Sequence, residues 1–195
     1  MPRAERVPSV SGFFHVTSRA SRPLRLFADR DDCVLFLQAL SRAHAEHGLE
    51  THAYCLLGTH FHLVVRAEPD ALTRSMRVLK GWYAHELNRR RGRVGPVFDG
   101  RYFATEIATE EHAGAAMVYV ALNPVRAGLT QHPDHWPFSS HRAHAGLDTR
   151  PEWLMPLERL GLFSHEADYR NAIAGAVRQL RSSRAVGEAG SDRRV

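Results

Sequence analysis

Two histidines, a tyrosine and an asparagine are the candidate functional residues of this chain. His60 and His62 lie two positions apart between apolar runs, and Tyr119 and Asn123 lie four positions apart further along. Strand side chains alternate between two sides, so the two imidazoles would point the same way. Residues four apart in a helix share a face, so the amide would accompany the phenol. Two imidazoles on the same side could supply two ligands of a divalent-metal site. A tyrosine beside them is a candidate nucleophile for phosphate chemistry.

Each of these residues also has a structural interpretation. A strand histidine that faces a packed interior is usually a core residue, and a helical tyrosine usually packs in the core with its hydroxyl at the surface. An Asn-Pro pair is typical of a helix terminus. Placement favours chemistry, because the two imidazoles would share the side of a central strand that a ferredoxin-like sheet can leave free of its two core helices. Two histidines are too few for a closed structural zinc site, so substrate oxygens could complete the ligand set. Among the other tyrosines, spacing leaves Tyr102 open as a rival to Tyr119.

The segments around these residues follow strand and helix patterns in a regular order. The patterns predict strands at 13–17, 49–57, 60–66 and 97–107, and helices at 29–48, 70–91, 109–122 and 165–181. Gly58 and Thr59 would form a II′ turn between two antiparallel strands, and Pro124 would end or kink the third helix. The order β-α-β-β-α-β-α is the ferredoxin-like pattern with an added helix. We therefore expect an α+β fold with helices on one sheet face and the opposite face partly open.

Length and composition indicate an ordinary globular protein. The chain has 195 residues, of which 44% are hydrophobic and 24% charged, so we expect one domain with a short extension. Cys33 and Cys55 lie beside apolar residues and are expected to be reduced core residues of a cytoplasmic protein. No apolar run reaches about 18 residues, so no membrane partner is expected. The expected organisation is a flexible arm at 1–11, a catalytic domain at 12–148, a helical extension at 149–181 and a disordered tail at 182–195.

The chain is basic, and its charge is concentrated in one stretch. The formal net charge is +5 and the pI is about 9.8, which indicates an anionic partner. Between residues 73 and 103, eight basic and two acidic residues give a net charge of +6. Such a stretch is often only a solvated face, but beside a phosphate site it is a candidate DNA-binding surface. Its basic residues are Arg74, Arg77, Lys80, Arg89, Arg90, Arg91, Arg93 and Arg101. The candidates for stacking on unpaired bases, each with core packing as its commoner role, are Trp82, Phe103, Trp136 and Phe138.

Four sequence blocks carry a resemblance to a known family. They are AYCLLGTHFH at 53–62, FDGRY at 98–102, YVALNPVRAG at 119–128 and WPFSS at 136–140. In this order they resemble the single-tyrosine HUH transposases, most of all those associated with repetitive extragenic palindromes (REP) of bacteria. The similarity runs from about residue 13 to about residue 145. The chain has no P-loop, Cys-x-x-Cys, Gly-x-Ser-x-Gly or His-Glu-x-x-His motif that would indicate another chemistry.

The resemblance implies a site, a substrate and an activity. His60 and His62 would be the metal-binding pair, Asn123 the third ligand of Mg²⁺ or Mn²⁺, and Tyr119 the nucleophile of a HUH transposase domain at 12–148. The substrate would be single-stranded or hairpin DNA, which the enzyme would cleave and rejoin through a 5′-phosphotyrosine intermediate. Relatives commonly carry Pro-Asn before the first histidine. This chain has Gly-Thr there, which changes the turn rather than the ligands.

Two other functions stay open at this point. A hairpin DNA-binding protein derived from such an enzyme would keep the fold and the basic residues without strand transfer. A metal-dependent nuclease that activates water would keep the histidines but would need no tyrosine. The sequence also leaves open whether the chain is a monomer or a homodimer, and which DNA sequence it recognises.

Overall fold

The computed structural model describes residues 11–160 and 163–191, and these form an α+β fold. The strands are β1 (Phe13–Arg19), β2 (Glu50–Leu57), β3 (His60–Arg66) and β4 (Phe103–Ile107). The helices are α1 (Arg30–His47), α2 (Pro69–Arg90), α3 (Glu110–Arg126), α4 (His141–His144) and α5 (Glu166–Ser191). The predicted α+β class is confirmed, and the first six elements follow the predicted β-α-β-β-α-β order. None of the described helices is both long enough and apolar enough to cross a membrane.

One antiparallel sheet with strand order β2-β3-β1-β4 forms the centre of the fold. Helices α1 and α2 pack together against one face of this sheet. Val16 of β1 and Phe61 and Leu63 of β3 point into this layer, because strand side chains alternate. They are fully buried there with Phe36 of α1 and Tyr83 of α2. Burying a side chain of this size contributes about 1.5–3 kcal/mol, so this first core fixes the position of β3.

The opposite face of the sheet is covered at one end and open at the other. Helices α3 and α5 pack over a second core that includes Phe13, Val64 and Tyr169. The alternation that turns Val64 into this core also brings His60 and His62 to the same face, where both are only half-buried. The expected partly open face is therefore present, although α3 and α5 cover its other end.

The turn between β2 and β3 differs from the predicted type. Gly58 and Thr59 form a two-residue loop, as expected. A II′ turn requires its first central residue to be left-handed, but Gly58 does not have a positive φ, so that prediction is wrong. Other segments hold the loop instead. The N–H of Ala20 donates to the carbonyl of Thr59 at 2.8 Å, and the N–H of Phe27 donates to that of Gly58 at 3.2 Å.

Two elements have different bounds from those predicted. Strand β4 begins at Phe103 rather than at residue 97, because Gly100, with a φ of 73°, turns the chain between these positions. Helix α3 does not end at Leu122 but continues through Pro124 to Arg126. Pro124 lies in the last turn of the helix. Its missing N–H removes one hydrogen bond, but the helix ends two residues later, so the loss is tolerated.

The predicted C-terminal tail is partly helical. The sequence pattern predicts that the last helix ends at 181, whereas α5 continues to Ser191. The segment 182–191 contains no proline that would stop the helix. Residues 1–10 and 192–195 lie outside the described residues, and so does most of the expected N-terminal arm.

Helix α5 packs against α3 in the second core, and a hydrogen-bonded chain also connects it to α4 and to the segment before α4. Tyr169 and Ile173 of α5 are buried in the second core. The Tyr169 hydroxyl lies 3.1 Å from His141 Nδ1, and His141 Nε2 lies 2.7 Å from the Asp134 carboxylate. A hydrogen-bonded chain of this kind satisfies polar groups that would be costly to bury alone. The C-terminal extension is therefore part of the packed structure around α3.

The Trp-Pro-Phe-Ser-Ser block covers the outer edge of β2. The Leu56 N–H donates to the Phe138 carbonyl, and the Ser140 N–H donates to the Tyr54 carbonyl, both at 2.9 Å. Trp136 Nε1 donates to the Leu56 carbonyl at 3.1 Å. An uncovered sheet edge invites pairing with other chains, so this block has a structural role.

A buried carboxylate connects the start of α1 to the end of α2. Asp32 is fully buried, and its side chain accepts the Ala28 N–H at 2.9 Å. Its own N–H donates to the side chain of Asp29, the N-cap residue, at 3.0 Å. Arg90 donates to the Asp32 carboxylate at 2.6 Å, and Arg91 donates to it as well. A buried charge is tolerated only when donors of this kind satisfy it.

Asp32→Ala should lower the free energy of unfolding by about 3–5 kcal/mol, because two guanidinium groups and a helix start lose a buried partner. Urea unfolding followed by circular dichroism measures the change. Asp31→Ala is the matched control: the Asp31 side chain is 76% exposed, so its loss should cost much less. Equal losses in the two variants would contradict the role assigned to Asp32.

Candidate active site

The pairing of β1 with β3 gathers three histidines at the open end of the sheet face. Thr17 is the register partner of His62, and Arg19 is the register partner of His60. His15, two positions before Thr17, points to the same face. His15 Nε2 lies 2.9 Å from His62 Nδ1, and the two rings are stacked with 5.2 Å between their centroids. His15 is thus part of the site.

The two predicted metal ligands lie side by side. The ring centroids of His60 and His62 are 5.2 Å apart. His60 Nδ1 lies 3.2 Å from Thr59 Oγ1, and His62 Nδ1 is in contact with His15. Both rings therefore use Nδ1 for contacts within the protein. Nε2 of each ring has no hydrogen-bond partner within residues 11–160 and 163–191, which leaves it available to a ligand.

Tyr119 reaches this histidine group from α3. It is 41% exposed, and its ring centroid lies 5.9 Å from that of His15 and 6.3 Å from that of His62. The Arg126 guanidinium carbon lies 5.0 Å from the centroid of the same ring, at cation–π distance. The structure therefore brings the Tyr119 phenol close to the imidazoles of His15 and His62 at a site that solvent can reach.

Tyr102, the rival nucleophile, lies toward the other side of the sheet. It packs against the first core, and its hydroxyl lies 3.5 Å from Thr73 Oγ1 of α2. The next residue, Phe103, pairs with Thr17 and points to the histidine side instead. The remaining tyrosines are buried. Tyr119 is accordingly the tyrosine beside the histidines.

Asn123 lies one helical turn after Tyr119 on α3. It is only 7% exposed, and Nδ2 of its amide has no hydrogen-bond partner among the described residues. A buried amide without a protein partner indicates a group that a water or a ligand satisfies. Its oxygen is of the type that binds hard divalent cations. Asn123 therefore suits the ligand role, on the helical face that also carries the phenol.

Burial favours the neutral form of the imidazoles of the site. Burial first, and then the positive charges nearby, lower the pKa of His62 to about 3. Burial also lowers the pKa of His15 and, together with Arg19, that of His60. Neutral imidazole is the form that binds a metal ion. Across the described part of the chain, no group of three or more His, Cys, Asp or Glu side chains is arranged to hold a metal. An ion here would therefore need Asn123 or oxygens from a bound molecule.

The sequence patterns do not single out three residues of the site, His15, Arg19 and Arg126. His15 and Arg19 lie in a segment with a clear strand pattern, but nothing local shows that this strand lies beside β3. Arg126 follows Tyr119 by seven positions, which is two helical turns and a usable signal for a shared face. That signal is lost when the helix is expected to end before it.

The eight basic residues proposed to contact DNA fall into two groups. Four of them are engaged within the protein: Arg90 and Arg91 with the α1 carboxylates, Arg89 with Glu86, and Lys80 with the Gly100 carbonyl. The other four are exposed: Arg74, Arg77, Arg93 and Arg101. Helix α2, which carries Arg74 and Arg77, packs on the sheet face opposite the histidines. These two cations therefore do not share the sheet face of the histidines.

The fold has a counterpart among solved structures. A REP-associated tyrosine transposase bound to a REP hairpin is similar to this chain with a TM-score of 0.63 and 19% sequence identity, over 77% of this chain and 89% of that one. The resemblance drawn from the four sequence blocks is thereby confirmed for the fold. A protein of Deinococcus radiodurans R1, provisionally described as a transposase, has a TM-score of 0.42 and 15% identity over 60% of this chain and 92% of that one, too low to carry an argument. No protein-family model and no curated protein matches the chain.

The His62 ring should stay neutral far below the pH at which an ordinary histidine takes up a proton. Its pKa of about 3 lies below the usual 6.5, so the unfolded chain binds the proton first and acidification below pH 6.5 destabilises the fold. Correlation spectra of the imidazole nitrogens, recorded from about pH 8 to about pH 4, measure the protonation directly. His62→Gln identifies the signal. A His62 midpoint near 6.5 would contradict the account of a buried, neutral ring.

Proposed function

We propose that the chain is a metal-dependent DNA transesterase, a tyrosine transposase. It would cleave and rejoin single-stranded or hairpin DNA through a 5′-phosphotyrosine intermediate, as in the transposition of REP-type palindromic elements. The observation that carries the proposal is the position of the Tyr119 ring, 6.3 Å from the His62 ring between centroids. The similar transposase, which was solved with a REP hairpin, supports a DNA substrate. The basic composition of the chain fits that substrate.

The donor set fits a divalent metal ion. His60 and His62 would hold it through Nε2, and Asn123 would hold it through the amide oxygen. When bound, Mg²⁺ or Mn²⁺ would polarise a non-bridging oxygen of the scissile phosphate and offset the charge of the transition state. Three protein ligands leave coordination positions for substrate oxygens, as a catalytic site requires.

Tyr119 would be the nucleophile of the covalent step. Its hydroxyl would lose its proton to solvent and attack the scissile phosphorus in line. A bond would form between the Tyr119 oxygen and phosphorus while the bond to the 3′ oxygen breaks. The departing oxygen would take up a proton and become a 3′-OH. Another 3′-OH can reverse the step and join strands without ATP, because the phosphotyrosine conserves the energy of the broken bond.

Two arginines at the site would stabilise the negative charge of this reaction. Arg126 lies against the Tyr119 ring and would favour negative charge on the attacking oxygen. Arg19, exposed and paired in register with His60, would bind a phosphate oxygen. The four exposed arginines of the basic stretch would contact the DNA backbone further from the scissile phosphate.

His15 would act through His62 as a positioning residue. A histidine that ligates a metal commonly donates its other ring N–H to a partner, which fixes its tautomer and its orientation. The 2.9 Å contact between His62 Nδ1 and His15 Nε2 supports this role. With Nδ1 as the donor, His62 would present the lone pair of Nε2 to the metal.

Tyr119→Phe should abolish the covalent protein–DNA adduct and lower strand cleavage by at least about 10³-fold, because it removes the attacking oxygen. A single-stranded oligonucleotide that contains a REP hairpin carries different labels at its two ends and is incubated with Mn²⁺ and run on a denaturing gel. The 3′ label reports the adduct, and the 5′ label reports the released fragment with its free 3′-OH. Circular dichroism and hairpin binding should match those of the unmodified protein.

Tyr102→Phe is the matched control, because Tyr102 packs toward the other side of the sheet, and this variant should keep the adduct. Loss of the adduct in Tyr102→Phe but not in Tyr119→Phe would overturn the assignment. Cleavage by the unmodified protein with no adduct would favour a nuclease that activates water. Tight hairpin binding with no cleavage would favour a DNA-binding protein without strand transfer.

His15→Ala should weaken Mn²⁺ binding by roughly 10- to 100-fold, the usual cost of losing the partner behind a metal ligand. Isothermal titration with Mn²⁺ alone measures this affinity in the absence of DNA. Thr17→Ala is the control: Thr17 is the register neighbour of His62, whereas the ring contact is made by His15. Equal Mn²⁺ affinity in His15→Ala and the unmodified protein would remove His15 from the positioning role.

A further inference from the structure

An exposed phenylalanine lies on the same sheet face as the histidines. Phe103, the first residue of β4, is 70% exposed, although phenylalanine is among the residues most often buried. The other three aromatic candidates for base stacking pack against the two cores: Trp82 and Phe138 against the first, and Trp136 against the second. Phe103 belongs to neither core, so packing does not account for it.

The strand register fixes the separation between Phe103 and the site. Phe103 and His62 are the two register partners of Thr17, one on β4 and one on β3. Adjacent strands lie about 4.8 Å apart, so the two Cα atoms are roughly 10 Å apart and both side chains rise from the same face. A phosphate at the histidines would therefore place bases of the same strand, roughly one to three nucleotides away, near the Phe103 ring.

The surface between these two residues suits a nucleic acid strand. On this open end β1 contributes Thr17 and Arg19, and β4 contributes Thr105, the register partner of His15. Glu106, the acidic residue of β4, alternates to the other face. Among the strand residues of this open end, all within the described ranges, none is a carboxylate. A neutral or cationic surface next to an exposed aromatic ring is the combination that binds single strands.

We infer that Phe103 is a stacking platform for an unpaired base adjacent to the scissile phosphate. Every base has an aromatic face, so this platform holds the strand without selecting its sequence. In a duplex the base faces are covered by neighbouring base pairs, so the platform favours unpaired DNA. The inference rests on the proposed function, because the Tyr119–His62 site defines where the phosphate lies.

The test is the binding of a single-stranded oligonucleotide that carries the fluorescent base 2-aminopurine, measured with a chelator present so that no cleavage occurs. Phe103→Ala should weaken this binding by roughly 5- to 100-fold. Phe103→Trp should bind at least as tightly as the unmodified protein. Phe103→Leu keeps an apolar side chain but lacks an aromatic face, so it should resemble Phe103→Ala. Leu147→Ala is the matched control, because Leu147 is also apolar and 40% exposed, and it should bind normally.

Three results would overturn the inference. They are an unchanged affinity of Phe103→Ala for the single strand, an equal loss on a blunt duplex, and full affinity in Phe103→Leu. If the affinity is unchanged and light scattering shows a different oligomeric state of Phe103→Ala, the ring is assigned to contact with a second copy instead. Absence of the adduct in the unmodified protein would refute the proposed chemistry, while a Phe103-dependent affinity for single strands would still stand.

Discussion

The alternation of side chains along two neighbouring antiparallel strands is the constraint on which the site depends. Because β1 and β3 lie side by side in register, the residues that point to one face include His15, His60 and His62. The same alternation sends Phe61 and Leu63 into the core beneath α1 and α2, where both are fully buried. A slip of one residue would exchange the two sets, exposing the apolar side chains and burying the imidazoles. Apolar packing on one side of β3 thus positions His60 and His62 on the other side.

Helices α3 and α5 cover one end of the sheet face that carries the histidines, and this packing explains how an exposed tyrosine is held in place. Helix α3 is buried along the side that meets the sheet and α5, while Tyr119 lies at its open margin, 41% exposed. Asn123, one turn further along, is almost fully buried. Helix α5 supports this arrangement from behind, because its Tyr169 and Ile173 pack in the same core as the buried side of α3. The C-terminal extension therefore contributes to the site indirectly, by fixing the helix that carries the phenol.

Local sequence patterns predict the elements and the residues of the candidate site, but not the neighbours of these residues in space. Strand β3 has the predicted bounds, because alternation is a property of adjacent residues. The turn at Gly58 takes its shape from hydrogen bonds to another segment, which no local pattern contains. His15 enters the site only through the strand order, for the same reason. The net charge of the basic stretch likewise includes Arg90, although its acidic partners Asp29 and Asp32 lie outside the stretch, at the start of α1.

The distance between the Tyr119 ring and a metal ion held by the histidines decides whether the two can act on one phosphate. Mn²⁺ bound to protein with 3-fluorotyrosine in place of Tyr119 alone allows fluorine–manganese electron–nuclear double resonance to measure it. We expect a separation within about 8 Å, because a phenol oxygen and a metal that share one phosphate must lie within a few ångströms of it. A separation beyond about 15 Å, in the presence of DNA as well as in its absence, would show that the two groups do not act on the same phosphate.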